Sequence, residues 1–268
     1  MTALGGQVCV VTGAAGGIGR AIAQGLAQAG GRVALLDRDL AGADETRRSI
    51  PGETIVLDCD VSNPASVQAA AAAVQAQLGP CDVLVNNAGL LRPGPLATLP
   101  VAEWNLLLSV NLTGYFLCAQ AFGAQMRAQP RRIRGGAIVH VASIAGSHAT
   151  GQAGAYSVAK AGIVMLSRQL ATEWGADGIR SNVVSPGMIL TPLSQAFYDD
   201  PAIVQRRSAV IPAGRIGQPA DVAAAVVFLA GPGAAYITGD EITVDGGFTR
   251  GLMGLIPRPG YDAPGPPS

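Results

Sequence analysis

The sequence predicts an α/β fold in which one doubly wound, seven-stranded parallel sheet carries helices on both faces, all within a single domain. Short runs rich in Val, Ile and Leu alternate with longer helical patterns, and this alternation is typical of βαβ units. The strand runs are apolar at most positions, as expected when both faces of a parallel sheet are covered. A length of 268 residues with 49% hydrophobic side chains is sufficient for one large core.

The individual elements follow from this alternation. Runs of four to six residues predict strands at 7–12, 32–36, 54–57, 82–85, 137–141, 180–184 and 241–244. The longer patterns between them predict helices at 17–29, 41–49, 64–78, 101–128, 153–174 and 219–230. Because strand–helix–strand crossovers are right-handed, these units are expected to form a doubly wound, Rossmann-type sheet.

Two segments depart from the alternation. Residues 187–217 follow the sixth strand, contain Pro192, Pro201 and Pro212, and are long for a connection, so we predict a substrate loop that acts as a lid. In residues 252–268, closely spaced prolines prevent a regular helix. We therefore predict one domain over residues 1–251 and a Pro/Gly-rich tail over 252–268.

The charge balance excludes two classes of partner. Eighteen basic and eighteen acidic residues give a formal net charge of zero, so the chain lacks the positive field that nucleic acid or an anionic membrane requires. The stretch that comes closest to a membrane span, 222–239, is interrupted by Gly231-Pro232-Gly233, whereas a span needs about 20 apolar residues. The expected partner is a small-molecule substrate, with no nucleic acid and no membrane.

The cysteines and histidines predict no metal site. Cys9, Cys59, Cys81 and Cys118 are widely spaced and form no CxxC pair or Cys/His cluster, so we expect buried free thiols and a cytoplasmic location. His140 alternates with valines in a predicted strand and is expected to be a buried, hydrogen-bonded residue rather than an acid or base.

A glycine-rich turn follows the first strand and opens the first helix. Gly13, Gly17, Ile18 and Gly19 lie in this turn, where backbone N–H groups and the positive end of the helix dipole favour a pyrophosphate. Asp37 lies 18 residues after Gly19, at the end of the second strand. An acidic side chain there can accept hydrogen bonds from an adenosine ribose and repel a 2′-phosphate. These features predict a dinucleotide-binding site.

Further motifs follow in order. Asp60-Val61 comes after the third strand, Asn86-Asn87-Ala88-Gly89 after the fourth, Ser143 after the fifth and Pro186-Gly187 after the sixth, with Asn111 in a helix, Tyr156 and Lys160 in Tyr-x-x-x-Lys spacing, and Val244-Asp245-Gly246-Gly247 at the last strand. Together with the spacing of the glycine turn, these motifs resemble the short-chain dehydrogenase/reductase family over about residues 5–248.

The resemblance implies a catalytic tetrad and a nicotinamide cofactor. The tetrad consists of Asn111, Ser143, Tyr156 and Lys160. The family's cofactor contacts correspond to Gly13, Gly17, Ile18, Gly19, Asp37, Asp60, Val61, Asn87, Ala88, Gly89, Tyr156, Lys160, Pro186, Gly187, Ile189 and Thr191. In this family the lysine also binds the nicotinamide ribose, and the asparagine positions a water that links the lysine to solvent.

The residues of the tetrad suit proton transfer. Tyr156 and Lys160 are four apart and share one helix face. The ammonium, together with the positive nicotinamide of an oxidised cofactor, is expected to lower the pKa of the phenol toward the working pH, as a general base requires. Ser143 can hold the substrate oxygen and stabilise charge that develops there. The chain has seventeen arginines and a single lysine, Lys160, which places a compact, tunable cation where a guanidinium is not equivalent.

The charges near the turn favour NAD. Relatives that prefer NADP commonly carry a basic residue in the glycine turn or in place of the acid, whereas here these positions hold Ala14, Ala15 and Asp37. Arg38 could pair with a 2′-phosphate, but the Asp37 carboxylate would lie close to that dianion. NAD is therefore the predicted cofactor.

The predicted reaction is hydride transfer between NAD and the carbon of a secondary alcohol or ketone, with Tyr156 as general acid or base. The substrate pocket is predicted to include Ser143, Ala145, Met188, Leu193 and Phe197, and its apolar character favours an apolar or cyclic substrate. Two alternatives are an NADPH-dependent 3-oxoacyl thioester reductase and a non-catalytic dinucleotide-binding scaffold. The resemblance also implies a homotetramer, or a homodimer, built partly from the helices at 101–128 and 153–174.

Overall fold

The structure is a computed structural model, and it describes residues 3–129, 135–192, 194–195 and 198–256. Seven parallel strands form one sheet in the order β3-β2-β1-β4-β5-β6-β7. They are β1 (Val8–Thr12), β2 (Arg32–Asp37), β3 (Thr54–Asp58), β4 (Val83–Asn86), β5 (Gly136–Val141), β6 (Ile179–Pro186) and β7 (Glu241–Val244). The predicted doubly wound sheet is confirmed, and each predicted strand is present within two residues of its expected ends.

The helices cover both faces of this sheet. They are α1 (Gly17–Gln28), α2 (Leu40–Arg48), α3 (Pro64–Gln77), α4 (Val101–Leu108), α5 (Gly114–Ala128), α6 (Tyr156–Trp174), α7 (Pro201–Ala209) and α8 (Pro219–Ala230). Leucines and valines of α1 and α8 pack with alternate strand residues such as Val11 in one buried cluster. Residues of α3, α5 and α6 pack with the intervening ones, such as Val10, in a second cluster. The strands are apolar because both of their faces are buried.

The site is positioned by the point where the strand order reverses. β1 pairs with β2 on one side and with β4 on the other, so the connections that follow β1 and β4 run to opposite faces. A crevice opens between them at the carboxyl edge of the sheet, which is where doubly wound proteins bind ligands.

The predicted helix over 101–128 is interrupted. Residues Ser109–Thr113 form a π-helical turn between α4 and α5, and Asn111 lies within it. The Asn111 amide donates to the Leu107 carbonyl over 3.1 Å and to the Leu90 carbonyl over 2.9 Å. A side chain that bonds both its own helix and a neighbouring loop accounts for this local change of pitch, and such turns are frequent at functional sites.

The stretch 101–128 is apolar enough for a membrane span by length and composition. Its window has a mean hydropathy of 1.3, but half of that window is buried inside the protein. It packs against α3, β4 and β5, so its hydropathy is that of a core helix.

Two other helices differ from the prediction. The helix expected from residue 153 begins at Tyr156, because Ala153 bridges to Gly94 and Gly154 has a φ of 57°. The loop expected over 187–217 contains α7, whose first N–H groups are capped by the Asp200 carboxylate, 2.8 Å from the Ala202 nitrogen. Of the predicted tail, residues 257–268 lie outside the described part of the chain.

Candidate active site

The turn between β1 and α1 allows an anion to approach the backbone closely. Gly13 and Gly17 have φ values of 67° and 54°, which glycine adopts without strain. A Cβ on Gly13 would lie 2.7 Å from the Ala88 Cα, and a Cβ on Gly19 would lie 2.0 Å from the Gly13 carbonyl oxygen. Gly16 is the N-cap residue of α1 and has no side chain to cap the helix, which leaves the first helical N–H groups for an external acceptor. These residues fit a pyrophosphate.

The ends of β1 and β4 are tied together beneath this turn. The Thr12 hydroxyl accepts hydrogen bonds from the Asn87 and Ala88 N–H groups at 3.0 and 3.1 Å. The Asn87 amide donates to the carbonyls of Thr12 and Gly13 at 3.1 and 3.0 Å. The floor of the crevice is therefore a rigid hydrogen-bonded unit rather than two independent loops.

Asp37 ends β2 beside the glycine turn. Its Oδ2 accepts the Ala15 N–H over 2.9 Å, and its Oδ1 accepts the Asp39 N–H over 3.0 Å. These bonds fix the carboxylate in the position expected for an adenosine ribose. The neighbouring Arg38 is largely exposed, and its Nη1 lies 3.8 Å from the Asp60 Oδ2. The Arg38 guanidinium therefore lies at the same edge of the crevice as the Asp37 carboxylate.

Tyr156 and Lys160 lie on one face of α6, as their spacing predicts. The Lys160 Nζ lies 5.6 Å from the centre of the Tyr156 ring. It donates to the Val141 carbonyl over 2.9 Å, which places the buried ammonium at the carboxyl end of β5. Ser143 follows this strand and has an extended backbone. The three side chains thus converge on one region from β5 and α6.

Burial changes the pKa values of both Tyr156 and Lys160. Burial raises the pKa of this phenol, and interaction with the Ser143 hydroxyl acts in the opposite direction. Burial also lowers the pKa of Lys160 to about 7. Desolvation disfavours the charged forms of both groups, so the joint lowering of the Tyr156 pKa by Lys160 and an oxidised nicotinamide stays a prediction.

Asn111 joins the tetrad to the loop after β4. Its Oδ1 accepts the Leu90 N–H over 3.2 Å, which complements the bond from its amide to the Leu90 carbonyl. A Cβ on Gly89 would lie 2.8 Å from this Oδ1 and 3.8 Å from the Lys160 Nζ. Glycine at position 89 therefore lets the loop after β4 pass close to both Asn111 and Lys160. The two hydrogen bonds from Asn111 to the Leu90 backbone hold this loop in place as part of the cavity wall.

The loop after β6 covers the glycine turn. A Cβ on Gly17 would lie 3.5 Å from the Thr191 Cβ, so the two segments are in near contact. Ser194 holds this loop in place by donating to the Ile189 carbonyl over 2.7 Å. At its start, Gly187 packs so closely on Asp245 that a Cβ would lie 2.5 Å from the Asp245 Cβ.

One cavity of about 860 Å³ connects these features. Every described residue that the sequence analysis assigned to the cofactor, the tetrad or the pocket lines it: Gly13, Gly17, Ile18, Gly19, Asp37, Asp60, Val61, Asn87, Ala88, Gly89, Asn111, Ser143, Ala145, Tyr156, Lys160, Pro186, Gly187, Met188, Ile189 and Thr191. Leu193 and Phe197, also predicted for the pocket, lie outside the described residues.

The cavity also has a polar wall that the sequence analysis missed. Thr150, Gln152, Ser194 and Arg207 line it beside Tyr198. The Arg207 guanidinium lies 5.0 Å from the centre of the Tyr198 ring, within the range of a cation–π contact. The only signal for Gln152 and Thr150 in the sequence is their location between Ser143 and Tyr156.

The predicted roles of His140 and the cysteines agree with the structure. His140 is fully buried, with Nδ1 3.2 Å from the Asn86 amide nitrogen and Nε2 3.2 Å from the Ser181 hydroxyl. Burial lowers the pKa of His140 to about 3, which keeps the imidazole neutral. All four cysteines are buried free thiols. Among the described residues, no three His, Cys, Asp or Glu side chains are grouped to hold a metal ion.

Comparisons with known proteins identify the family. A family model described as enoyl-(acyl carrier protein) reductase matches residues 13–249. The D-threitol dehydrogenase of Mycolicibacterium smegmatis is 43% identical over 92% of this chain and 94% of its own length. The chain belongs to the short-chain dehydrogenase/reductase family. This dehydrogenase/reductase is an oxidoreductase that interconverts an alcohol and a ketone.

Two further relatives show the range of the family around this dehydrogenase/reductase. The 3-oxoacyl-(acyl-carrier-protein) reductase of Escherichia coli is 38% identical over 90% of this chain and 97% of its own length. A crystal structure of a gluconate 5-dehydrogenase from Burkholderia cenocepacia, in complex with NADP and tartrate, is 33% identical. It superposes with a TM-score of 0.85 over 92% of this chain and 96% of that one. The fold described above is thus shared with a solved structure that binds NADP.

Proposed function

We propose that this enzyme is an NAD-dependent dehydrogenase of polyhydroxylated substrates, which oxidises a secondary hydroxyl group of a polyol to a ketone or catalyses the reverse reduction. The observation that carries the proposal is the polar wall of the cavity near the tetrad, formed by Thr150 and Gln152. The 43% identical relative named D-threitol dehydrogenase supports the same substrate class.

The polar wall changes the substrate class expected from the sequence. Leu90, Leu91 and Met188 line the cavity and support the apolar part of that expectation. The carbon chain of a polyol can pack on such side chains, while its hydroxyl groups need donors and acceptors that an entirely apolar pocket lacks. A cavity with both kinds of wall therefore favours a polyol over a purely apolar or cyclic alcohol.

Each residue of the tetrad has a separate role in moving the proton of the substrate hydroxyl group. When bound, the oxidised nicotinamide supplies the hydride acceptor and a positive charge beside the site. Tyr156 takes the hydroxyl proton at its Oη, and the Ser143 hydroxyl holds the substrate oxygen and stabilises its developing charge. The charged form of Lys160 favours the phenolate and holds the ribose. Asn111 keeps the Leu90 loop in position and supports the water path to Lys160.

The direction of the reaction depends on the protonation state of Tyr156. Alcohol oxidation needs the phenolate as base, and ketone reduction needs the phenol as acid. Because burial raises the pKa of Tyr156, the phenol predominates at neutral pH until another positive charge is close by. Oxidation is therefore expected to accelerate as the pH rises, and reduction to be faster at lower pH.

NAD is supported by the charge at the ribose end of the cavity. The Asp37 carboxylate is fixed by two backbone N–H groups, so it cannot turn away from a 2′-phosphate without losing both bonds. Arg38 lines the same end of the cavity, with its guanidinium 3.8 Å from the Asp60 carboxylate, and among the described residues it is the one feature there that favours a 2′-phosphate. The NADP bound to the gluconate 5-dehydrogenase relative makes NADP the alternative to be measured beside NAD.

Assembly and location are part of the same proposal. Apolar side chains are exposed on the helices expected to form subunit contacts, namely Leu106 and Phe116 on α4 and α5, and Val158 and Met165 on α6. Covering them in a homotetramer, or a homodimer, would remove apolar surface from water. Light scattering of the purified protein tests this. The four free thiols support a reducing, cytoplasmic location.

A second candidate activity is the NADPH-dependent reduction of 3-oxoacyl thioesters. The Escherichia coli relative of that activity, at 38% identity, supports it. A carrier protein is acidic and would need a basic docking surface, for which the sequence offers Arg127, Arg131, Arg132 and Arg134. Of these four, the structure describes Arg127, whose guanidinium carbon lies 4.3 Å from the centre of the Trp174 ring. Arg131, Arg132 and Arg134 lie outside the described residues.

One assay separates these functions. The purified enzyme is supplied with NAD or NADP and with tetritols, pentitols, hexitols, 2-butanol and a cyclic secondary alcohol, and in reverse with NADPH and a 3-oxoacyl thioester. The proposal expects the highest kcat/KM with NAD and a polyol. A higher value for the thioester with NADPH would support the second candidate. No turnover in any arm would support a non-catalytic scaffold.

A further inference from the structure

One residue in the wall of the cavity has a backbone conformation that side chains rarely adopt. Gln152 has a φ of 63°, and within the described part of the chain it is the one residue other than glycine with a positive φ. The Cβ atom makes this region costly for most L-residues. Gly151 precedes Gln152, and Gly154, two residues later, has a φ of 57°. Glycine at position 152 would thus give the same loop with less strain.

The loop around Gln152 is held in place by backbone hydrogen bonds. The Gly94 N–H donates to the Gln152 carbonyl over 2.8 Å, and the Gly154 N–H donates to the Gly94 carbonyl over 3.0 Å. These bonds join the loop to the segment after β4, and α6 begins with Tyr156 four residues after Gln152. The backbone of Gln152 is therefore held at a set position relative to the general base.

The polar group that Gln152 can offer to a ligand is its side-chain amide. Its carbonyl already accepts a hydrogen bond, whereas its amide belongs to an exposed residue and is bonded to no other residue that the structure describes, so it is open to solvent or to a ligand. Gln152 lines the same cavity as Ser143 and Tyr156. Strained residues that persist at ligand sites commonly have a functional reason, and here the side chain supplies one.

The chemistry of an amide selects the kind of ligand group. A glutamine amide both donates and accepts hydrogen bonds and carries no charge, which matches a hydroxyl group better than a carboxylate or a phosphate. Ser143 and Tyr156 are expected to engage the reacting oxygen, which leaves the Gln152 amide, in the wall of the same cavity, for a different hydroxyl of the substrate. A substrate without that hydroxyl would leave the amide without a partner.

We propose that the Gln152 amide binds a hydroxyl group on a carbon next to the reacting carbon, and that Gln152 thereby selects vicinal diols and polyols over simple secondary alcohols. This inference rests on the proposed polyol dehydrogenase function and names the residue that determines its substrate specificity.

The test compares threitol with 2-butanol, two four-carbon secondary alcohols of which only threitol has neighbouring hydroxyl groups. In Gln152→Gly the amide is lost and the strained backbone is relieved, so the variant is expected to unfold at the same or a higher temperature than the wild type. Its kcat/KM for threitol is expected to fall by about 3- to 10-fold, the usual effect of one neutral substrate hydrogen bond. Its kcat/KM for 2-butanol is expected to change less than about twofold.

A second variant separates the amide from the shape of the loop. Gln152→Asn retains an amide and tolerates a positive φ, so it is expected to recover part of the preference for threitol. Equal losses for both alcohols in Gln152→Gly, or an unchanged preference, would overturn the role of Gln152 while leaving the polyol dehydrogenase intact. A wild-type enzyme that oxidises 2-butanol but not threitol would overturn the proposed substrate class and this inference together.

Discussion

Lys160 and Tyr115 share one hydrogen-bond acceptor, the backbone carbonyl of Val141. The Lys160 Nζ and the Tyr115 hydroxyl each donate to this oxygen over 2.9 Å, and the two groups are 3.4 Å apart. The Nζ also lies 5.3 Å from the centre of the Tyr115 ring. Tyr115 is fully buried at the start of α5. This tyrosine, which is not part of the tetrad, therefore helps to set the position of the Lys160 ammonium.

This arrangement predicts an unusual titration for Lys160. Its pKa is lowered to about 7 by burial, and the titratable groups that face it are Tyr156 on its own helix and Tyr115 on α5. Because Lys160 is the single lysine of the chain, protein grown on ¹³C-lysine gives one lysine signal by NMR. Without cofactor, that signal is expected to titrate near pH 7. Titration close to the ordinary lysine value would show that Nζ is solvated.

Tyr115→Phe tests the contribution of the Tyr115 hydroxyl to the titration of Lys160. The variant keeps the ring but loses the hydroxyl oxygen that lies beside Nζ, so the ammonium loses a stabilising partner and its pKa is expected to fall further, by about half a unit to one unit. The same NMR signal measures the shift. Tyr236→Phe is the matched control, because Tyr236 is fully exposed and should leave the titration unchanged.

Tyr156→Phe is expected to separate cofactor binding from turnover. The ring remains in place, so the dissociation constant of NAD should change little, whereas loss of the general acid and base should lower kcat by about 10²- to 10⁴-fold. Fluorescence titration measures the first quantity and steady-state kinetics the second. Retained turnover in a correctly folded variant would refute the role of the phenol.

Asp37→Ala is expected to shift the cofactor preference toward NADP. Removing the carboxylate removes repulsion of a 2′-phosphate, so the ratio of kcat/KM for NAD to that for NADP should fall by about 10- to 100-fold. Asp37→Asn serves as the control, since it keeps an oxygen acceptor for the Ala15 N–H but loses the charge. If charge decides the preference, both variants shift it; a shift in Asp37→Ala alone would instead implicate the hydrogen bonds.

His140 predicts an acid sensitivity of the fold. Its pKa is about 3 in the folded protein because of burial, and about 6.5 in an unfolded chain. Between these values the unfolded state binds the extra proton, so stability falls as the pH decreases from 6.5 toward 3. From pH 6.5 to pH 4 this loss amounts to about 3 kcal/mol.

Urea unfolding across this pH range measures the effect. His140→Gln cannot take up the proton, so its stability should decline less than that of the wild type. His148, the other histidine, is exposed, and His148→Gln should follow the wild-type curve. Identical curves for wild type and His140→Gln would contradict the low pKa of the buried imidazole.

Several elements were predictable because their signals are local. The apolar strand runs and the glycine turn depend on neighbouring residues, and each appears near its expected position. α7 also had a local signal, since Asp200-Pro201 is a common helix start, although the prolines of this segment favoured a loop. The π turn at Asn111 had none, because it depends on bonds to the Leu90 backbone, 21 residues away.

The sequence alone predicted the order of strands and helices and the glycine-rich turn, because periodicity and spacing are properties of the chain, and its motifs indicated the four residues of the tetrad by their resemblance to the family. The tertiary structure decided the direction of the pKa shift of Tyr156 and the polar wall around Gln152. Desolvation depends on everything packed around a group, and the composition of a cavity depends on loops that are distant in sequence. Neither quantity can be calculated from spacing.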